Sequence, residues 1–486
     1  MFPQVRLFVA TFILFNLLDA CQGSCLESAA SDSLWQLTAR SRPFPTVEWP
    51  VTSDWPRTRP ITERPKWPGC TENTLMYKVY KGVLYANHNH FTGVSQWQRD
   101  NFVEMMLVAL WLYKDFPDCD LWLNFSDSPQ FCAVPVPFLQ YQAIRGVRRS
   151  NLPRNTSLHL THLLSPSDVS KLYENGRDGH EQQQLVPVAR GFTIPYPDDW
   201  ERLSLSEQQL LNFTQCLVRH HASSSKATAA QEQTANGSWA SYHITKAVWR
   251  GSSTGMMRGW SPRTSTKEAS VSHEAAKSLF NKRTYMAVMS RPYPWLDIGL
   301  TGYYWDPNHL KAVATLNHMD MEEVSRYMMS ISIDGNGTPW RFPRQLLSMT
   351  AVAKVDSALK EWFAHLLQPG VHYVPIKHDL RDLASRTHDL IMEAQHDSSR
   401  LERMADAARD AAVKHMNGVA QLDALMAAIA HSKQVCQWEV QAPGDASQPG
   451  EPNWQLIKLK RDKHWHGRGF RHLRENIMAE LRQHFE

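Results

Sequence analysis

Short apolar runs alternate with amphipathic stretches along most of this chain, and their lengths sort them into strands and helices. Between Met76 and Val136, "YKVYKGVLYA" has the alternation of a strand, "SQWQRDNFVEMMLVALWLYKDF" places apolar residues at helical spacing, and "LWLNF" is a short buried run. This order is βαβ-like. Further on, "KAVWRGSSTG", "RTYMAVM", "WLDIGLTG", "YMMSISIDGNG", "TAVAKV" and "HYVPI" are apolar runs of strand length separated by polar or helical stretches, the pattern of a second, parallel sheet. Residues 380–431 read as helices, including the Ala-rich "LERMADAARDAAVKHMNGVAQLDALMAAIAH", whose Ala and Met spacing predicts helix–helix packing. The predicted class is α/β with long C-terminal helices.

Residues 1–23 carry an apolar run from Leu7 to Leu18 followed by small residues, which predicts a cleaved secretory leader and no transmembrane span after its removal. Residues 24–70 hold a Pro- and Trp-rich stretch that excludes long helices and central strands, so an extended surface arm is expected. The first folded unit is expected over 71–216, and the small, polar, Ser/Ala-rich residues 217–241 read as a flexible insert or linker. The second unit is expected over 242–435, and a basic tail over 436–486.

Composition narrows this picture without redirecting it. A chain of 486 residues, 42% hydrophobic and 21% charged, is ordinary globular material with enough length for two cores. Its formal charge is only +4, and residues 455–486 supply that excess with eight Lys/Arg against four Asp/Glu, so the charge is a tail and not a nucleic-acid surface. Seven cysteines become six if the leader is cut after Gly23, enough for three disulfides in an oxidising lumen. Sequons beginning at Asn124, Asn155, Asn212, Asn236 and Asn336 agree with that compartment. Asn124 and Asn336 lie in stretches assigned chemistry below and are expected to stay unglycosylated.

The chemistry concentrates at two strand ends. "VWRGSSTG" is a strand end followed by Gly and hydroxyl residues, where Gly251, Ser252 and Ser253 offer backbone N–H groups to a phosphate and Arg250 adds a bidentate donor. "DGNGTPWRF" repeats the logic: glycines permit close approach, and Arg341 sits near the start of the next helix, whose dipole favours an anion. One arginine so placed is ordinarily a surface or salt-bridge residue. Two of them at the C-terminal ends of strands in one open α/β sheet face a common crevice, and a pyrophosphate is the ligand that uses both.

These segments, with "LDIGLTG", "EWFAHLLQPGVHYVPIKHDLRDL" and, upstream, "LWLNFSDSP", stand in an order that resembles glycosyltransferase family 90, the Rumi-like protein O-glucosyltransferases and capsule-associated xylosyltransferases. The resemblance spans roughly residues 70–435 and implies a GT-B fold, two Rossmann-like domains about an interdomain cleft. It implies an inverting transfer of glucose or xylose from a UDP-sugar to a protein or glycan acceptor in the ER, the Golgi or outside the cell. No cofactor is required, and a divalent metal is left open. Residue by residue, Arg250 and Arg341 would clamp the diphosphate, and Asp334, Gly335, Asn336, Gly337, Thr338, Pro339 and Trp340 would line the sugar nucleotide. Asp127 would be the catalytic base, and Glu361 would sit near the ribose or donor sugar. A base that accepts the acceptor's hydroxyl proton is what inversion needs.

Two features depart from the family pattern. Pro339 lacks an N–H that could have bound phosphate, and "LRQHFE" is not an ER-retrieval tetrapeptide. Asp118 and Asp120 read as helix-end residues, not a metal motif, and His88 and His90 have no third ligand nearby in sequence. The competing readings are a catalytically inactive glycan- or nucleotide-sugar-binding lumenal protein and a glycoside hydrolase, which needs two carboxylates across one cleft.

Overall fold

The computed structural model describes residues 42–43, 74–87, 96–124, 138–140, 142–144, 147–148, 185–186, 191–196, 199, 203, 205–224, 239, 243–254, 282–303, 315–335, 337–357, 359–444 and 454–457. The leader, nearly all of the arm, most of the Ser/Ala-rich insert, the distal tail, His88, His90, Asp127 and Asn336 lie outside them.

The first half opens with a hairpin where a single strand is expected. Strands β1 (Thr74–Tyr80) and β2 (Val83–Asn87) pair antiparallel across Lys81 and Gly82, both in the left-handed region (φ 49° and 76°). Two central residues of positive φ match the right-handed twist of the flanking strands, which is why "YKGV" reverses the chain. Helix α1 (Gln96–Leu112) leads toward β3 (Cys119–Asn124), followed by β4 (Phe138–Gln140), β5 (Gln142–Ile144) and β6 (Gly191–Thr193). The six-stranded sheet is ordered β6-β4-β3-β1-β2-β13, with β13 at Trp454–Leu456. It is mixed, parallel through β6, β4 and β3 and antiparallel beyond.

The second half is the expected parallel sheet. Helix α2 (Glu207–Ser224) precedes β7 (Ile244–Ser252), α3 (Lys282–Met289), β8 (Leu296–Gly302), α4 (Met321–Ser325), β9 (Tyr327–Ser332), α5 (Phe342–Leu347), β10 (Ala351–Val355), β11 (Leu359–Glu361) and β12 (Val374–Ile376). The five-stranded order is β8-β7-β9-β10-β12, parallel throughout. β9 is buried along its whole length, as a strand covered on both faces must be. Ala351, Ala353 and Val355 of β10 enter one core while Val352 enters another on the opposite face. "RTYMAVM", expected as a strand, is helix α3: Tyr285, Met286 and Ala287 pack into the core against the sheet, so tertiary burial overrides its β-branched and aromatic content.

Helices α6 (Leu383–His396), α7 (Ser399–His415) and α8 (Gly418–Val435) follow as expected. Two expected boundaries move. Residue 217 falls inside α2, whose Leu210, Phe213 and Leu217 form an apolar face on α5 and α7. At the other end, Leu422, Leu425, Met426, Ala428 and Ile429 of α8 complete the core of the first sheet, Trp438 donates to Asp120, and β13 extends that sheet. The C-terminal segment therefore returns to the first half, and the residues from 436 onward are not solely a tail. A second link is the antiparallel pair of β11 with β5, which sets Glu361 opposite Gln142.

Asn124 is 1% exposed at the end of β3, so its sequon is closed to glycan. Cys216 is disulfide-bonded, whereas Cys119 and Cys436 are buried free thiols, so the six cysteines expected in the mature chain do not form three bridges. Among the described residues no helix is long and apolar enough to cross a membrane.

Candidate functional site

In the second sheet the chain runs from β7 to β8 on one side and then crosses to β9 on the other, so the strand order reads 2-1-3-4-5 in sequence terms. The connections on either side of β7 and β9 diverge there, which opens a crevice outside the carboxyl ends of the two strands. The two motifs singled out in the sequence occupy this switch point: residues 250–254 end β7, and residues 333–341 link β9 to α5.

Arg250 is 7% exposed, and its guanidinium is engaged with its neighbour strand. It donates to the Asp297 carboxylate at 2.6 Å, to the Asp297 backbone oxygen at 2.7 Å and to the Trp249 oxygen at 3.0 Å. Tyr327, at the start of β9, donates to the other Asp297 oxygen at 2.7 Å, and burial together with that carboxylate pushes its phenol up to about 12. One acid thus ties together β7, β8 and β9. An anion in the crevice would share Arg250 with Asp297 and would not meet a free guanidinium.

Arg341 reaches back across the crevice and donates to the backbone oxygen of Arg250. The two arginines are therefore adjacent, joined through main chain. Around them Gly251 is required, because a Cβ there would lie 2.7 Å from the Trp249 ring. Two expected phosphate donors are occupied: the Ser253 N–H bonds Gly302 O at 3.0 Å, and the Gly335 N–H bonds Gly337 O at 2.9 Å. Ser252 is half-buried and its register with β8 is bulged. Helix α5 has only six residues, so its dipole adds little to this charge.

The rest of the turn is compact. Gly337, Thr338 and Pro339 are buried, while Trp340 is 49% exposed and lies parallel to Tyr196 at 6.2 Å between ring centroids. Glu361 is buried and accepts two hydrogen bonds from Lys354, at 3.0 and 3.1 Å, while the Lys354 ammonium sits 3.9 Å from the centroid of the Phe342 ring. It lies on the ribbon joining the halves, outside the five-stranded sheet, and its partner Lys354 is on β10, two strands from β7.

Asp334 is the half-buried acid of the turn. Its carboxylate accepts from Ser357 Oγ, Lys282 and Lys354 face it as cations and Glu361 as an anion, and burial outweighs them to raise it to about 6. The folded chain then holds this proton more tightly than the unfolded one, so the stability it contributes is complete only below the unfolded value of 3.8, is still mostly present at pH 4, and is lost as pH rises through about 6. Wild-type stability should fall by on the order of 2 kcal/mol over that window relative to Asp334→Asn, which keeps the oxygen that accepts from Ser357. Urea unfolding of both proteins at pH 4 and pH 7 checks it; parallel pH profiles would refute the shift.

Four residues of this neighbourhood escaped the sequence reading: Arg283, Lys282, Asp297 and Lys354. Asp297 stood inside a quoted motif, but its role depends on a strand pairing that no local signal shows. Arg283 and Lys282 open a segment expected as a strand, and two adjacent basic residues at an apolar run's start were the available clue.

The fold is that of a doubly wound α/β protein whose candidate site lies at its switch point. Residues 213–445 match the model of glycosyl transferase family 90. Human protein O-glucosyltransferase 3 is 32% identical over 106 residues, covering 22% of this chain and 21% of that protein. Zebrafish (Danio rerio) protein O-glucosyltransferase 2 is 30% identical over 124 residues, 25% of this chain and 24% of its own. Uncharacterized protein 179R of invertebrate iridescent virus 6 is 27% identical over 313 residues, 58% of this chain and 24% of the viral protein. The chain thus spans between about a fifth and a quarter of the length of these relatives. A solved structure described as a GtfA/B complex aligns over 40% of this chain and 36% of its own at 11% identity and a TM-score of 0.24, too weak a likeness to inform the fold.

Proposed function

We propose that this chain is an inverting glycosyltransferase of the secretory lumen that moves glucose or xylose from a UDP-sugar to a hydroxyl of a protein or glycan. The observation that carries the reading is the meeting of Arg250 and Arg341 at the switch point of a parallel sheet, within the segment that matches the family 90 model. On this reading the chain has the GT-B arrangement, the second sheet holding the donor and the first serving the acceptor side. Relatives named protein O-glucosyltransferase support the transfer of a sugar to protein.

In the proposed reaction Asp127 takes the acceptor's hydroxyl proton as the oxygen forms its bond to the anomeric carbon. The bond from that carbon to the β-phosphate oxygen breaks, configuration inverts, and UDP departs with its charge met by Arg341 and, in part, Arg250. The reading of an inactive nucleotide-sugar-binding protein shares the arginines and differs only in turnover.

Arg341→Ala should weaken UDP binding at least about tenfold, the loss of a charge-assisted contact, while circular dichroism stays native. Arg341→Lys should recover only part, because a point charge does not grip two oxygens. Calorimetric titration of UDP decides binding, and release of sugar from a panel of UDP-sugars separates enzyme from inactive binder. Unchanged UDP affinity in Arg341→Ala would leave the site without this function.

A further inference from the structure

Arg283, the second residue of α3, lies beneath both loops of the switch point. Its Nη1 donates to Thr254 Oγ1 at 2.6 Å and to Ser252 O at 3.4 Å, on the loop after β7. Its Nη2 donates to Ile333 O at 3.2 Å and its Nε to Asp334 O at 3.0 Å, on the loop after β9. The same guanidinium lies 5.6 Å from the Trp249 ring centroid, the ring that also excludes a side chain at Gly251. At Gly335 a Cβ would meet Arg283 Nη2 at 2.8 Å and Thr254 Oγ1 at 3.0 Å, so the turn's first glycine is the space the guanidinium needs.

We propose that Arg283 is a positioning residue for the donor: a half-buried latch whose planar fork holds the 252–254 loop and the 333–335 turn at one spacing, and so fixes the crevice for a nucleoside diphosphate. The inference rests on the donor-site reading of those loops. Four N–H bonds to four oxygens of two separate loops are what a guanidinium supplies and an ammonium does not, since Lys has three donors at a single point. Each loop ends a different strand, and β-pairing fixes the strands but not the loops beyond them. A rigid cross-brace there lowers the ordering cost that a diphosphate would otherwise meet on binding.

The experiment measures UDP affinity by calorimetry alongside thermal unfolding for Arg283→Lys, Thr254→Val, Gly335→Ala and the core variant Leu390→Ala. Leu390 is buried in the second core on α6 and lowers stability without touching either loop. Arg283→Lys should weaken UDP about ten- to a hundred-fold, and Thr254→Val, which removes one acceptor without changing shape, about three- to tenfold. Gly335→Ala should weaken UDP as well and combine non-additively with Arg283→Lys, since both disturb one brace. Guanidinium ion, far below denaturing concentrations, should restore part of the affinity to Arg283→Ala. Leu390→Ala should lose stability and keep its UDP affinity.

If Arg283→Lys does not fold, Thr254→Val carries the test, and an unchanged affinity there overturns the latch. Equal weakening in Leu390→Ala also overturns it, because stability alone would then explain the effect. A wild type that binds UDP while Arg283→Lys binds it equally refutes the latch and leaves the functional reading standing. A wild type that binds no UDP refutes that reading and the latch with it.

Discussion

Arg250→Ala should cost the protein its stability before it costs it a ligand. The change removes one partner of an ion pair that is 7% exposed on the arginine side and 25% on the aspartate side, and among the described residues leaves the Asp297 carboxylate with Tyr327 alone. Breaking such a pair by deleting one member costs roughly 3–5 kcal/mol, because the remaining charge stays desolvated without its counter-ion. Three strands meet at this acid, so the loss should appear as a lower midpoint in urea with unchanged slope, a native state that is weaker but not looser. The double variant Arg250→Met with Asp297→Leu should recover much of the loss, since neither charge is then stranded. An Arg250→Ala protein of wild-type stability would show that the arginine's main partner lies elsewhere. Weakened UDP binding in this variant therefore mixes loss of a ligand contact with damage to the sheet.

Asp127→Asn should lower turnover about a hundred- to ten-thousand-fold with UDP affinity unchanged. The amide preserves size and hydrogen-bonding reach but does not accept a proton, so the acceptor oxygen attacks without the charge that ionisation would give it. Donor binding is expected to rest on the second sheet. Initial rates with a saturating UDP-sugar, set beside calorimetry of UDP, separate the two effects. Near-normal turnover would assign the base to another carboxylate, and a parallel loss of UDP affinity would place Asp127 among the donor contacts.

Much of the second half was legible along the chain. "YMMSIS" and "AVAKV" are apolar without alternation, and such short runs between turn residues are what a strand covered on both faces requires. The strand, turn and helix of residues 330–347 appear where expected because glycine, proline and the apolar spacing all favour the same local conformations. "YKGVLYA" misled because a two-residue turn leaves little trace in an apolar run, and "RTYMAVM" because seven residues are too few for period to separate helix from strand.

What the sequence by itself determined is the α/β class, the parallel sheet, the two arginine-bearing strand ends and the match of residues 213–445 to the model of glycosyl transferase family 90. Each is either local, reaching no further than a few residues along the chain, or a pattern of motifs in order. Only the tertiary structure decided that β7 and β9 stand side by side with the crevice outside their carboxyl ends, and that α8 crosses back to the first core. It likewise decided that Arg250 gives its charge to Asp297, forty-seven residues away, and that Arg283 braces two loops through atoms of four other residues. The physical reason is common to all of these. A guanidinium binds whichever carboxylate or carbonyl the packed strands bring within about 3 Å, and that choice is made by strand order and side-chain direction, neither of which a linear pattern contains.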